Sequence, residues 1–167
     1  MSATSESGGE FSPQDAARAA ENLVGLWRSG GTLGQAMDIT ADECEALYAF
    51  GHALYEQGKY SDAFKAFAQV TIYDHMEPRY QAAAGAAAQM LGRYEDALRH
   101  HLAVTVMKLD DPVPVFHCAE CLLALGKLPE AAETLELVAG MCKEEAQAGL
   151  KSRAEALLQA LKVKMPK

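Results

Sequence analysis

The stretch that decides the fold runs from Leu54 to Phe67 and has the sequence LYEQGKYSDAFKAF. A short helical pattern ends there at a glycine and a basic residue, and a second helical pattern follows with an acidic residue and an alanine. Related stretches begin at Met90 (MLGRYEDALRHHL) and at Leu122 (LLALGKLPEAAETL). Three versions of one segment indicate a structural module that is repeated along the chain.

The three copies keep one register of 34 residues. The recurring small positions are Gly51, Gly85 and Ala119 before the turn, Gly58, Gly92 and Gly126 in the turn, and Ala63, Ala97 and Ala131 after it. Pro78 and Pro112 stand at the repeat boundaries and suit the first turn of a helix. A helix–turn–helix module of this period resembles the tetratricopeptide repeat. We therefore predict an all-α solenoid of three repeats, at about 44–77, 78–111 and 112–145, with flanking N- and C-terminal helices.

The flanking helices are predicted from caps and apolar stripes. Ser12 and Pro13 suit a helix start, and the stripe that follows is Ala16, Ala20, Leu23, Val24 and Trp27. The stripe predicted for the C-terminal capping helix is Leu150, Ala154, Leu157, Leu158 and Leu161. The predicted division is a disordered N-terminus (1–12), an N-terminal helix and loop (13–40), the three repeats (41–145), and a capping helix with a basic tail (146–167). Region 13–40 is also the candidate dimerisation region.

Composition limits the classes of function. The net charge of −8 argues against a nucleic-acid surface, because phosphates attract clustered lysine and arginine. Half of the residues are hydrophobic, which opposes general disorder. No apolar run is long enough for a membrane span, and the N-terminus lacks the pattern of a signal peptide. We therefore expect a cytoplasmic protein with neither a nucleic-acid nor a membrane partner.

No constellation of residues predicts catalysis. Cys118 and Cys121 form a C-x-x-C, which is compatible with metal or redox chemistry or with two small residues packed in a helix. A second such pair is missing and the motif lies in a helical pattern, which favours packing. His100 and His101 are adjacent and point to different faces of a helix. The stretch SGGTLGQ lacks a P-loop lysine and is predicted to be a loop. We expect no catalytic site, no metal and no cofactor.

The first helices of stacked repeats line a concave surface. The second, fifth, ninth and twelfth positions of each unit face it. The last three of these in the first repeat are Tyr48, His52 and Tyr55, and the four in the second and third repeats are Arg79, Ala82, Ala86 and Gln89, then Val113, Phe116, Glu120 and Leu123. Aromatic side chains at one end and alanines in the middle predict a groove for an extended peptide with apolar anchors. The alternative is that Tyr48, Tyr55 and Phe116 belong to the core.

Capture of a C-terminal carboxylate, a common use of such repeats, is disfavoured. The positions that would clamp the carboxylate hold Tyr48, His52, Ala83, Val113 and His117. No cluster of lysine and asparagine converges there.

Three stretches resemble one family. LYAFGHALYEQGKYSDAFKAF, YDHMEPRY and FHCAECLLALGKLPEAAETL resemble the class II chaperones of bacterial type III secretion, over about residues 20–162. The resemblance implies a cytoplasmic chaperone in virulence that holds an extended N-terminal segment of hydrophobic translocators in its groove. It also implies a homodimer and, for some members, assistance to a transcriptional activator. A general scaffold that joins folded proteins is the alternative.

The resemblance also implies particular contact residues. The family's groove tyrosines match Tyr48, Tyr55 and Tyr60, and other groove-side positions fall on Phe67 and Tyr73. His52 replaces a frequent groove aromatic, which implies a changed client preference or some pH sensitivity. His101 replaces another common aromatic, which puts the family's pocket there in doubt. The N-terminal stripe, with Leu23, Val24 and Trp27, packs either on the first repeat or on a second chain, and the resemblance favours the second chain.

Overall fold

A computed structural model describes residues 12–164, apart from the side chains of Trp27 and Lys164. The disorder predicted for the N-terminus falls, except for Ser12, outside the described residues, as does the end of the predicted basic tail.

The described residues form helices without strands, plus one 3₁₀ turn at Glu145–Gln147. The helices are α1 Pro13–Arg28, α2 Leu33–Ala36, α3 Ala41–Glu56, α4 Tyr60–Tyr73, α5 Pro78–Met90, α6 Tyr94–Met107, α7 Pro112–Ala124, α8 Leu128–Met141 and α9 Ala148–Lys164. The pairs α3/α4, α5/α6 and α7/α8 are the repeats, and each helix from α4 to α9 packs on the helix before it. The predicted solenoid with flanking helices is confirmed.

The same turn joins the two helices of every repeat. Gly58, Gly92 and Gly126 have φ angles of 74°, 70° and 73°. In each turn the next residue donates its N–H to a carbonyl five residues back, at 2.9 Å: Lys59 to Leu54, Arg93 to Ala88 and Lys127 to Leu122. This is a Schellman ending, which needs a left-handed residue and therefore favours glycine.

Proline starts the second and third repeats. Pro78 and Pro112 occupy the first turns of α5 and α7. The side chains of Glu77 and Asp111 cap these helices by accepting the backbone N–H two residues further on. The cap accepts a donor that the new helix leaves unpaired.

The predicted loop after α1 contains a short helix. Thr32 and Gln35 form a reciprocal capping box around α2, and Thr40 and Glu43 form another at the start of α3. The difference from the predicted loop arises because Thr32 and Gln35 stabilise one turn of helix between two glycines and Asp38.

Small residues let the two helices of a repeat approach. A Cβ on Gly51 would lie 2.6 Å from the Phe67 ring, and one on Gly85 would lie 2.7 Å from Cε1 of His101. The equivalent residue of the third repeat is Ala119, which is fully buried. The ring of the second helix therefore occupies the volume of the missing side chain.

The two ends of the solenoid differ. At the C-terminal end, α9 inserts Ala154 and Leu161 into the largest core cluster, together with residues of α7 and α8. At the N-terminal end, α1 packs on α2 and leaves Val24 42% exposed and Leu23 half-buried. No helix within residues 12–164 is both long and apolar enough to cross a membrane.

Candidate peptide-binding groove

A slot of about 370 Å³ crosses the face formed by the first helices of the repeats. Its lining is Tyr48 and His52 of α3, Pro78, Arg79, Ala82, Ala83 and Ala86 of α5, His101, Val104 and Lys108 of α6 and its end, and Asp111, Val113, Pro114 and His117 at α7. The slot has the size of a ligand pocket in a protein. It can accept one or two bulky side chains of a bound segment.

Alanines make the space in the middle of the slot. Ala82, Ala83 and Ala86 form one wall, and each is half-buried. Their helix, α5, is held against α4 by the fully buried Ala84 and Ala87 and against α6 by the fully buried Ala88. A helix of alanines therefore packs closely on two sides and leaves volume on the third.

Tyr48 forms one end of the slot within an aromatic cluster. Its ring centroid lies 4.6 Å from that of His52, 5.8 Å from that of Phe67 and 5.1 Å from that of Tyr80. Burial raises the pKa of the Tyr48 hydroxyl. The ring therefore stays neutral and is held in a fixed orientation for contact with an apolar anchor.

Arg79 closes the same end of the slot, and its positive charge is paired with two carboxylates. Its guanidinium bonds Glu45 at 2.7 Å and Glu77 at 3.1 Å and lies over the Tyr48 and Tyr80 rings. The Tyr80 hydroxyl donates to Glu45 at 2.7 Å. Hydrogen bonds from Arg79 and Tyr80 lower the pKa of Glu45. The pairing of Arg79 with two carboxylates makes it a poor free anion site.

Histidines form the other end of the slot. The rings of His101 and His117 are stacked, with centroids 5.0 Å apart. Nε2 of His101 lies 2.8 Å from Oε1 of Gln89, and Nδ1 of His117 lies 2.9 Å from Glu120. Arg153 of α9 donates to the same carboxylate at 3.3 Å. Residues of four helices thus meet in one polar network.

Burial is the main cause of the shifted pKa of His101 at this end of the slot. Burial, together with the smaller effect of the charges of His117 and His100, lowers this pKa to about 4. The pKa of Glu120 is lowered, first by its hydrogen bond with His117. At neutral pH the network therefore contains a neutral His101 and an ionised Glu120.

The C-x-x-C lies behind the slot as part of the core. Cys118 and Cys121 are 3% and 0% exposed. Burial raises the pKa of Cys118 to about 11 and that of Cys121 to about 12. Both are therefore protonated thiols that fill space between helices, which is the packing alternative.

The structure brings together six of the residues predicted for the concave surface. The six that line the slot are Tyr48, His52, Arg79, Ala82, Ala86 and Val113. Gln89 and Glu120 lie behind them and hold the two histidines. Leu123 packs half-buried against the C-terminal core cluster.

Two predicted contact residues belong to the core. Phe67 and Phe116 are each 1% exposed. Phe67 fills the space beside Gly51, and Phe116 is covered because Arg153 of α9 lies over its ring, 4.8 Å from the centroid. Both side chains were predicted to contact the peptide, but they lie in the core behind the slot.

Three predicted tyrosines lie away from the slot. Tyr55 and Tyr60 are half-buried and form an edge-to-face pair with centroids 5.1 Å apart. Tyr73 packs beside Ile39 and Cys44, where α2 meets α4. None of the three lines the slot.

Among the slot residues on and just after α6, the sequence pointed only to His101, and Val104 and Lys108 were missed. His101, Val104 and Lys108 line the slot from the second helix of a repeat. Their spacing, one and two helical turns, places them on one face, and His101 stands opposite Gly85. That pairing of a glycine with a residue 16 positions later is the signal that could have identified them.

The predicted dimerisation residues lie on α1. Leu23 and Val24 lie on its sparsely covered face, and the side chain of Trp27 is outside the described residues. Leu23 also lines a space of about 480 Å³ between α1 and α2, with Leu26, Leu33 and Met37.

Comparison with known proteins identifies relatives over most of the chain, although no family model matches. The Low calcium response locus protein H of Yersinia pestis is 33% identical over 138 residues, which are 82% of both chains. The crystal structure of the Yersinia enterocolitica type III secretion chaperone SycD with a peptide of the translocator YopD has a TM-score of 0.70 and 35% identity, covering 75% of this chain and 97% of that one. SycD has also been crystallised as an alternative dimer.

A third similarity is to PcrH in complex with the chaperone-binding region of PopD. The TM-score is 0.69 and the identity 36%, covering 75% of this chain and 95% of that chain. The fold, the repeat register and these similarities agree, and the chain belongs to the family of type III secretion translocator chaperones.

Proposed function

We propose that this protein is a chaperone of type III secretion that binds hydrophobic translocator proteins. An extended N-terminal segment of the client lies along the first helices of the repeats, with an anchor side chain in the slot between Tyr48 and His117. The slot carries the proposal, because it is an open, partly apolar space whose alanine wall leaves room for a partner's side chains. The related SycD and PcrH were solved with translocator segments.

The physical need for such binding is clear. Translocators that enter membranes expose apolar segments, and exposed apolar patches associate in water. A chaperone with a net charge of −8 keeps the complex soluble through charge repulsion. The client stays apart from other translocators and remains competent for secretion. This action is binding and not catalysis, and its place is the bacterial cytoplasm.

The scaffold alternative is less well supported. A general adaptor binds folded proteins through a broad surface. A narrow slot with aromatic and histidine ends instead fits single side chains of an extended segment. A homodimer through α1 and assistance to a transcriptional activator complete the proposal. The dimer is supported by the uncovered face of α1 and by the dimeric form of SycD.

The proposal is tested by filling the slot. The chain is co-expressed with each translocator of its own secretion locus, and tiled peptides of the translocator that forms a soluble complex are titrated by fluorescence anisotropy. Tyr48→Ala, which removes an aromatic anchor, should weaken binding about tenfold. Ala86→Phe should abolish it, because the new ring occupies the space of the anchor.

Ala53→Phe is the matched control, since Ala53 is exposed on α3 and does not line the slot. It should bind like the wild type, and circular dichroism should show all three variants folded. A soluble complex with none of the translocators, or equal peptide affinity for Ala86→Phe and the wild type, would reject the groove function.

A further inference from the structure

The histidine end of the slot breaks the pattern of the chain's own repeats. The residue equivalent to His101 is Phe67 in the first repeat and Leu135 in the third, and both are fully buried apolar residues. The residue equivalent to His117 in the second repeat is Ala83. Helix pairing is thus achieved without imidazoles, and a buried polar group costs free energy unless it is bonded. The histidines therefore call for an explanation other than packing.

The hydrogen bonds determine which ring nitrogen of His101 carries the proton. Glu120 is ionised and can only accept, and it accepts from Nδ1 of His117 and from Arg153. Oε1 of Gln89 lies 2.8 Å from Nε2 of His101, and an amide oxygen can only accept. Nε2 of His101 is therefore the protonated nitrogen.

The second ring nitrogen of His101 is an acceptor. In neutral imidazole the nitrogen without a proton accepts a hydrogen bond, and in His101 this nitrogen is Nδ1. Among the described residues no buried polar side-chain atom lacks a partner. His101 is 2% exposed and its ring hydrogen bond uses Nε2, so Nδ1 keeps access to the slot that the ring lines.

The other charges around the slot define the matching group. Arg79 and Lys108 oppose a cationic donor, and Asp111 at the rim is the acidic residue of the lining. A client carboxylate would face the lone pair on Nδ1 of His101 and the ionised Glu120 close by. An uncharged donor, which is a hydroxyl or a side-chain amide, meets none of these penalties.

We propose that the histidine end of the slot makes His101 and His117 specificity-determining residues, selecting a client segment that places a serine, threonine, asparagine or glutamine side chain there. The alanine wall accepts the carbon part of that side chain, Nδ1 of His101 accepts its hydrogen bond, and His117, stacked on His101, fixes the position of that ring. The inference rests on the proposed peptide-binding function and assigns the chemistry of one anchor within it.

The experiment needs no identified client. A phage-displayed library of randomised peptides is selected on the wild-type chain, and the enriched peptide is synthesised with threonine, valine, aspartate or leucine at its most conserved polar position. Anisotropy titrations should show about a tenfold preference for threonine over valine, which has the same shape without the donor. His101→Phe, which installs the first repeat's residue, should remove this preference, and His117→Ala should reduce it.

His100→Phe is the matched control, because His100 bonds Gln81 and does not line the slot. It should keep the threonine preference. Tighter binding of the valine, leucine or aspartate peptide by the wild type, or the same threonine preference in His101→Phe, would overturn the inference while leaving peptide binding intact. Failure to select any peptide would instead reject the proposed function, and this inference with it.

Discussion

His101 shows how much one position can change within a repeated frame. Its backbone and its place opposite a glycine are those of Phe67, yet it carries a polar ring at 2% exposure. The ring is accommodated because Gln89 satisfies one nitrogen and the slot receives the other. A buried group of this kind must affect stability when its protonation changes.

We expect the free energy of unfolding to fall as the pH decreases from about 6.5 to about 4. The folded state keeps His101 neutral down to a pKa of about 4, whereas the unfolded chain takes up the proton near 6.5, so protons favour unfolding in this window. The contribution of His101 amounts to about 3 kcal/mol. Urea denaturation at several pH values should show a shallower dependence in His101→Phe.

His75→Gln is the control for this measurement, since His75 is exposed. Its pH dependence should match that of the wild type. Carboxylates contribute in the same range, so the test is the difference between His101→Phe and the wild type. If the two curves stay parallel from pH 7 to pH 4, then His101 is not held neutral in the folded state.

At the scale of the element, each repeat is a pair of helices fitted around one ring or branched side chain. Gly51 accommodates Phe67 and Gly85 accommodates His101. In the third repeat Ala119 and Leu135 share one core cluster. Glycine on the first helix is paired with a ring on the second, whereas the larger Ala119 is paired with Leu135. The two positions are therefore expected to be energetically coupled.

We expect Gly85→Ala to destabilise the protein by about 1–3 kcal/mol, because its Cβ would overlap the His101 ring. Combining it with His101→Leu reproduces the pair found in the third repeat and should recover most of this loss. Urea denaturation of the two single variants and the double variant gives the coupling energy. Additive effects would show that the two helices do not meet at these positions.

At the scale of the molecule, the C-terminal end of the solenoid is covered by a helix, whereas the N-terminal end leaves an apolar stripe exposed. The C-terminal end is closed by α9, which buries the last repeat and places Arg153 over Phe116. The N-terminal end has α1, whose apolar stripe is largely uncovered. An uncovered stripe at one end of a repeat array is a surface that a second chain can complete.

We therefore expect Leu23→Glu combined with Val24→Glu to convert a dimer to a monomer in sedimentation velocity. The variant places two carboxylates in an apolar contact, where burial of charge is costly. Arg18→Glu is the control, because it changes the net charge by the same amount on the opposite side of α1. A monomeric wild type, or an unchanged dimer in the double variant, would exclude association through this stripe.

The sequence by itself determined the features that depend on neighbours along the chain. The 34-residue period, the left-handed turn at Gly92, the proline at the start of α5 and the Thr40 capping box follow from interactions between residues a few positions apart. Such interactions recur wherever the local pattern recurs, which is why the repeats and both flanking helices could be predicted.

Only the tertiary structure decided which side chains line the slot. Phe116 and Tyr48 hold the same position in their repeats, yet α9 covers Phe116 while Tyr48 stays half-exposed in the slot. The network of Gln89, His101, His117 and Glu120 joins three helices, and its geometry depends on how those helices pack. Burial and long-range contacts are set by the neighbouring elements, so a repeat position alone does not determine the role of its residue.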